Sequence, residues 1–209
     1  MKCPRVLFIA CTFQANAHIL NGTDMEEGGF LLEKGAWHDI IQLPLGNRTQ
    51  KPRHNGLTMV IDKGLGLQET KDLLELAGDY IDFLKLGFGT AAFYPQELLK
   101  EKIKLAQGYD VEVYPGGTFL EAAQFQGRAA CFLDRVKELG FGFVEVSDGT
   151  IMLELQERKR LIKMALERGL QVLTEVGKKD SKARISIEGL SEQVEKDLEL
   201  GAYKVIMEG

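Results

Sequence analysis

Charged side chains recur at one kind of place in this chain, directly after short apolar runs. Asp62 and Lys63 follow Met59-Val60-Ile61, and Lys85 interrupts the end of Ile81–Leu86. Glu145, Ser147 and Asp148 close another run, Glu175 precedes Lys178 and Lys179, and Glu208 ends the last. Clustered carboxylates such as Glu145, Glu175, Asp62 and Asp148 suit a hard divalent cation like magnesium. Lysines beside them (Lys63, Lys85, Lys178, Lys179) suit an anion, so together they fit a substrate carrying carboxylate or phosphate. The glycine turns Gly87-Phe88-Gly89 and Gly116-Gly117 leave backbone amides able to approach such groups, although tight turns alone would also use them. Strands covered on both faces rarely carry charge without a partner or ligand, because desolvating an isolated ion costs several kcal/mol. Mutual pairing of these acids and lysines is the blander alternative. It accounts for any one of them as well as a site does, and less well for charge at nearly every strand end.

Other chemistries lack their residues. His18, His38 and His54 all precede the first of the regular runs, so neither a histidine base nor a zinc triad is placed by pattern. Gly-x-Ser-x-Gly, Walker A and G-x-G-x-x-G sequences do not occur.

The elements that must position these residues alternate with a regular period. Nearly continuous apolar runs at Leu57–Asp62, Ile81–Leu86, Val111–Tyr114, Phe143–Val146, Gln171–Glu175 and Lys204–Met207 predict parallel strands covered on both faces. Helical spacing predicts helices over Leu67–Ala77, Pro95–Ala106, Phe119–Leu139, Leu155–Arg168 and Ile187–Leu200. Gly78, Gly108, Gly140, Gly169 and Gly201 sit where C-terminal caps with positive φ belong. Thr118 and Glu121 have capping-box spacing. Six βα units lacking a final helix fit either an open doubly wound sheet or a (β/α)8 barrel. Polar residues at the strand ends favour the TIM barrel, of which only six of eight strands are present.

Composition narrows the setting. The 209 residues are 44% hydrophobic and 27% charged with a net charge of −5, which gives no basic excess for nucleic acid. The three cysteines have no metal-site or disulfide spacing, and no run approaches a membrane span, so a cytoplasmic protein is expected. Lys2 and Arg5, the apolar run Val6–Phe13 and Ala15-Asn16-Ala17 together have the outline of a short secretion signal. A short strand explains that run as well.

Several stretches resemble the phosphosulfolactate synthase family of coenzyme M and sulfolactate biosynthesis. They are Lys51-Pro52-Arg53, Gly56 to Gly64, Asp79 to Phe83 with Lys85 and Gly87-Phe88-Gly89-Thr90, Val113 to Thr118, Val144 to Gly149, and Leu173 to Lys179. The resemblance implies a (β/α)8 barrel that uses magnesium to add sulfite to phosphoenolpyruvate, giving (2R)-phospho-3-sulfolactate. It implies Lys179, or less readily Lys178, as proton donor. It gives Glu145 and Glu175 to the metal with Asp62 and Asp148 in reserve, and makes Lys63 and Lys85 the anion holders. Plant heat-stress-associated proteins share the barrel and much of this motif set, so a non-catalytic relative or an inactive fragment is the alternative.

Residues 1–50 are expected to form an N-terminal extension and lead-in, with Met25 able to serve as a start, and 51–209 a partial barrel. The family continues past Gly209 with two more strands. Six strands leave edges at Leu57–Asp62 and Lys204–Met207, so the chain is expected to oligomerise and to show little synthase activity alone. The run Val6–Phe13 is the one segment that could cover an edge.

Overall fold

The computed structural model describes residues 6–8, 36–37, 40, 49–177 and 187–207, which fall into two compact units. In the smaller, residues 10–49, the described part is a turn in which Ile40 N donates to Trp37 O at 3.0 Å. The larger contains residues 1–9 and 50–209.

Among the described residues of the larger unit there are seven strands and six α-helices, largely in alternation. Strand β1 is Val6–Phe8, followed by β2 (Met59–Asp62), β3 (Phe83–Leu86), β4 (Glu112–Pro115), β5 (Phe143–Val146), β6 (Gln171–Val176) and β7 (Lys204–Met207). The helices are α1 (Leu67–Ala77), α2 (Gln96–Gln107), α3 (Gly117–Phe125), α4 (Ala129–Leu139), α5 (Leu155–Glu167) and α6 (Ile187–Glu199). Every strand pairing is parallel. One sheet runs β2-β3-β4 and the other β5-β6-β7-β1, with β4 lying beside β5 without a ladder between them. Strands β2 to β7 therefore succeed one another in chain order, as in a TIM barrel and unlike a doubly wound sheet, whose order reverses. No described helix is long and apolar enough to cross a membrane.

Period-two alternation divides the strands into two faces. The outward residues Leu84, Leu86, Val113, Val144, Val146 and Val172 pack with Leu74, Ile103, Leu133, Leu161 and Ile162 of the surrounding helices. The inward residues Phe83, Tyr114, Leu173 and Ile206 form a buried plug, against which Met59, Phe143 and Tyr203 pack. Its rings meet edge to face, Phe83–Phe143 with centroids 5.1 Å apart and Phe143–Tyr203 at 5.5 Å. Fully burying each such side chain is worth about 1.5–3 kcal/mol. The plug is the apolar floor on which the next inward layer stands.

The amino ends of the strands are tied by the Lys51-Pro52-Arg53 segment. Lys51 Nζ donates to Tyr109 O at 2.8 Å. Arg53 pairs with Asp82 at 2.9 Å and also donates to Asp79 O. Asp82 in turn accepts Thr58 N at 2.7 Å. This motif is a structural latch on the face opposite the strand carboxyl ends.

Four expectations are corrected. The single helix over Phe119–Leu139 is two, broken where Gly127 takes a φ of +68°. Gly140, Gly169 and Gly201 have positive φ, but Gly78 and Gly108 are right-handed. At Gly78 the chain runs on into a 3-10 turn, and a Cβ would meet the Tyr109 ring at 3.0 Å; after Gly108 the positive φ falls on Asp110 instead. Thr118 lies inside α3, whose N-cap is Gly116, so there is no capping box and Glu121 is used elsewhere. Finally, the strand expected from Ile81 begins at Phe83, and Ile81 before it packs in the outer cluster.

Candidate active site

One step beyond the plug towards the carboxyl ends, each inward plug residue is followed by the next inward position. Phe83 leads to Lys85, Tyr114 to Gly116, Phe143 to Glu145 and Leu173 to Glu175. This layer holds the charge. Lys85 Nζ lies 2.8 Å from Glu145 Oε1 and 3.0 Å from Glu175 Oε2, so three strands converge on one ammonium. Gly116 leaves room for it, since a Cβ there would stand 3.1 Å from Lys85 Cε.

Glu145 crosses the seam between the two sheets. Its Oε1 also accepts Gly117 N at 2.9 Å, at the start of α3. Gly117 cannot carry a side chain, because a Cβ would lie 2.1 Å from Ser147 Oγ and 2.9 Å from Glu145 Oε1. The carboxylate is 1% exposed, and its Oε2 has no hydrogen bond of ordinary geometry among the described residues. With all three groups ionised the cluster carries one excess negative charge. Burial pushes the Glu145 carboxyl up, with Glu175 adding to the rise and Lys85 opposing it. Burial disfavours the Lys85 ammonium, but the charges of Glu145 and Glu175 outweigh it and hold its pKa above the usual lysine value. The Tyr114 phenol beneath is raised well above its ordinary range, first by burial, then by the charges of both carboxylates and by its hydrogen-bonding approach to Glu145. Among the described residues, a buried carboxylate pair with one oxygen free of a regular hydrogen bond is a donor set that fits a cation. Among the described residues no group of three or more His, Cys, Asp or Glu is placed to hold a metal ion.

The other expected residues are placed differently. Asp62 accepts Gly64 N and Leu65 N, each at 2.7 Å, and pairs at 2.5 Å with the fully buried Lys102 of α2. It organises its own loop and does not join Glu145 and Glu175. Asp148 lies 3.7 Å from Arg158, whose guanidinium is buried against Asp197 and donates to Glu175 O at 3.0 Å. Gly116 and Gly117, expected to offer amides to substrate, donate them instead to Leu86 O and Glu145. Lys63 is exposed at the mouth, 5.6 Å from the Phe88 ring centroid, and has no carboxylate partner among the described residues. The expected anion holders thus divide into a compensated Lys85 and a Lys63 without an acidic partner among the described residues. Lys178, Lys179 and Glu208 lie outside the described residues.

Three supporting residues were not anticipated. Glu121 of α3 accepts Ser147 Oγ, Gly149 N at 3.1 Å, Thr150 N at 2.7 Å and Ile151 N at 2.9 Å, fixing the loop after β5. Burial opposes its charge, but the hydrogen bonds from Ser147, Thr150 and Ile151 outweigh that and lower its pKa. Lys102 donates to Leu65 O at 2.6 Å and to Tyr94 Oη at 3.1 Å, fixing the loop after β2. Arg158 does the corresponding work at the end of β6.

Residues 46–209 match the family model described as (2R)-phospho-3-sulfolactate synthase (ComA). A phosphosulfolactate synthase of Methanothermobacter thermautotrophicus is 42% identical over 163 residues, which cover 77% of this chain and 63% of that protein. One from Methanocaldococcus jannaschii is 45% identical over 156 residues, covering 74% and 62%. A third, from Bacillus subtilis, is 37% identical over 170 residues, covering 80% and 66%. The matched segment thus spans somewhat under two thirds of the length of the two archaeal relatives. Among solved structures, a 3-hexulose-6-phosphate synthase aligns with a TM-score of 0.46 at 18% identity, over 71% of this chain and 63% of that one.

Proposed function

Because the chain belongs to the (2R)-phospho-3-sulfolactate synthase family, we propose that its Lys85–Glu145–Glu175 cluster is the centre of a site for adding sulfite to phosphoenolpyruvate with magnesium as cofactor. The observation that carries this reading is the convergence of Lys85, Glu145 and Glu175 above an apolar floor at the strand carboxyl ends, with the buried Glu145 Oε2 lacking a hydrogen bond of ordinary geometry among the described residues.

In this reaction the sulfur lone pair of sulfite attacks the methylene carbon of phosphoenolpyruvate. A carbon–sulfur bond forms while the double-bond pair moves towards the phosphate-bearing carbon and spreads into the carboxylate as an enediolate. A proton delivered to that carbon gives (2R)-phospho-3-sulfolactate, and no bond to phosphorus breaks. Magnesium, when bound, offsets the charge that develops on the substrate carboxylate. Glu145 and Glu175 are the residues that would hold it, directly or through its water. Lys85 fixes both carboxylates in place and lowers their mutual repulsion. Lys63, with no acidic partner among the described residues, receives an anionic group of the substrate at the mouth. Lys179 is the proposed proton donor. Its replacement by alanine is expected to depress kcat far more than KM, and greater damage from Lys178→Ala would transfer the role. The proposed setting is a reducing cytoplasm, in keeping with cysteines that lack disulfide spacing.

The test is incubation of the chain with phosphoenolpyruvate, sulfite and magnesium, with the phosphorus-containing product followed by 31P NMR. Slow formation of phosphosulfolactate, in keeping with the little activity expected of six strands alone, that stops on chelation and resumes with magnesium is the expected result. Product formation indifferent to a chelator would remove the metal role of Glu145 and Glu175. Absence of both product and phosphoenolpyruvate binding would overturn the reading.

A further inference from the structure

We propose that Phe88 is a positioning residue for substrate. Its ring holds the Lys63 ammonium at the barrel mouth, where that ammonium receives an anionic group of a small phosphate- or carboxylate-bearing substrate. This rests on the reading of the strand carboxyl ends as the active site.

The argument begins with backbone geometry. Phe88 has φ 55° and ψ 27°, in the left-handed region. Glycine enters that region freely, but for a bulky side chain it is an outlier that the surroundings must enforce. Burial does not enforce it, since Phe88 is 64% exposed. A strained, solvent-facing aromatic contributes little to the core, so its display answers to something outside the fold.

The flanking residues are built to present it. A Cβ on Gly87 would approach Ile61 Cγ2 at 2.8 Å, so glycine lets the loop after β3 press against β2. Gly89 continues the left-handed turn at φ 73°, and Thr90 Oγ1 closes it on Gly87 O at 2.8 Å. Strands β2 and β3 run parallel with Asp62 opposite Leu86. Lys63 and the Gly87-Phe88 turn therefore leave the sheet side by side at its carboxyl end. The ammonium, 5.6 Å from the ring centroid, lies within the range of a cation–π contact. Such a contact orients the cation without neutralising it. This is the opposite of Lys85, whose charge is balanced by two carboxylates. A cation fixed but not neutralised is what an incoming anion requires.

The experiment compares wild type, Phe88→Gly, Phe88→Tyr, Lys63→Ala and the double variant Lys63→Ala/Phe88→Gly. Thermal melts are recorded without ligand, and phosphoenolpyruvate is titrated calorimetrically with magnesium present. Phe88→Gly is expected to melt at or above the wild-type temperature, because glycine accepts the φ without strain. Its Kd for phosphoenolpyruvate is expected to rise roughly three- to tenfold. Phe88→Tyr, which keeps the ring, is expected to bind as wild type. In the Lys63→Ala background Phe88→Gly is expected to have no further effect on Kd, a non-additivity that general loosening of the loop would not produce. An unchanged Kd in Phe88→Gly, an equal loss in the Lys63→Ala background, or a melt below wild type would each overturn the proposal while leaving the proposed reaction standing. A wild-type chain that does not bind phosphoenolpyruvate would overturn both.

Discussion

Gly117 shows how tightly single positions are specified around the charged cluster. Its amide holds Glu145 and its missing side chain admits Ser147, so the two functions compete for the same few ångströms. Gly117→Ala is expected to cost about 2 kcal/mol or more, because neither Ser147 nor Glu145 can retreat without moving β5. A denaturant melt checks this, and a variant as stable as wild type would mean the close approach is relaxed in solution. Lys85 is the opposite case, a residue whose value lies in its charge. Removing it would leave two buried carboxylates facing each other, a loss of about 3–5 kcal/mol. The charges at the strand ends were legible in the sequence, and Lys85, Glu145 and Glu175 meet in the mutual pairing that the sequence also allowed. The distribution of the charges was not legible. Asp62 and Asp148 have the same sequence signature as Glu145 and Glu175, and only the positions of Lys102 and Arg158 in space show that the former are engaged by helices.

Helix α3 works as a clamp on the mouth of β5, at the scale of one element. Its first amide holds Glu145, and Glu121, one turn further on, gathers the donors of residues 147–151. Glu121→Gln is expected to destabilise the fold by about 3 kcal/mol, since amide hydrogens of the variant would face buried backbone donors. The pH dependence has a defined sign. The pKa of Glu121 is lowered in the folded state, so its contribution is fully present above the ordinary glutamate pKa and is lost as pH falls through the lowered value. Wild type and variant should therefore converge in stability towards strongly acidic pH. A gap that persists or widens there would show that the carboxylate charge is not what holds the loop. The spacing of Thr118 and Glu121 suggested a cap because capping is the local use of that pattern, whereas the actual partners lie about thirty residues away. Long-range ion pairs did leave a trace. Lys102 falls in the apolar stripe Leu99, Ile103, Ala106, and Arg158 in the stripe Leu161, Ile162, Ala165. A charged residue inside such a stripe signals a buried partner, though not which one.

The strand order follows from the chain order over the whole molecule, because each βα unit is short and right-handed crossovers place successive strands side by side. That much was readable from periodicity, as was every strand from β2 to β7 within two residues at either end. The place of β1 was open in the sequence, since three apolar residues pair as readily with one edge as with another. Val6–Phe8 lie parallel on β7, with Val6 opposite Val205 and Phe8 opposite Met207, and so cover the Lys204–Met207 edge, one of the two that six strands would expose. Only alternate amides of a strand face a given neighbour, so proline at both Val6 and Leu7 removes at least one that faces β7. The double variant Val6→Pro/Leu7→Pro is expected to free that edge and self-associate with rising concentration in size-exclusion chromatography. Elution identical to wild type at every concentration would mean that β1 does not guard the edge.

The account stands most directly on one measurement, the calorimetric titration of phosphoenolpyruvate into the chain with magnesium and with a chelator, for wild type and for Glu145→Gln. Saturable binding that needs magnesium and weakens at least tenfold in Glu145→Gln is the predicted result. Binding that is the same with the chelator, or the same in Glu145→Gln, would contradict the assignment of the Lys85–Glu145–Glu175 cluster as the active site.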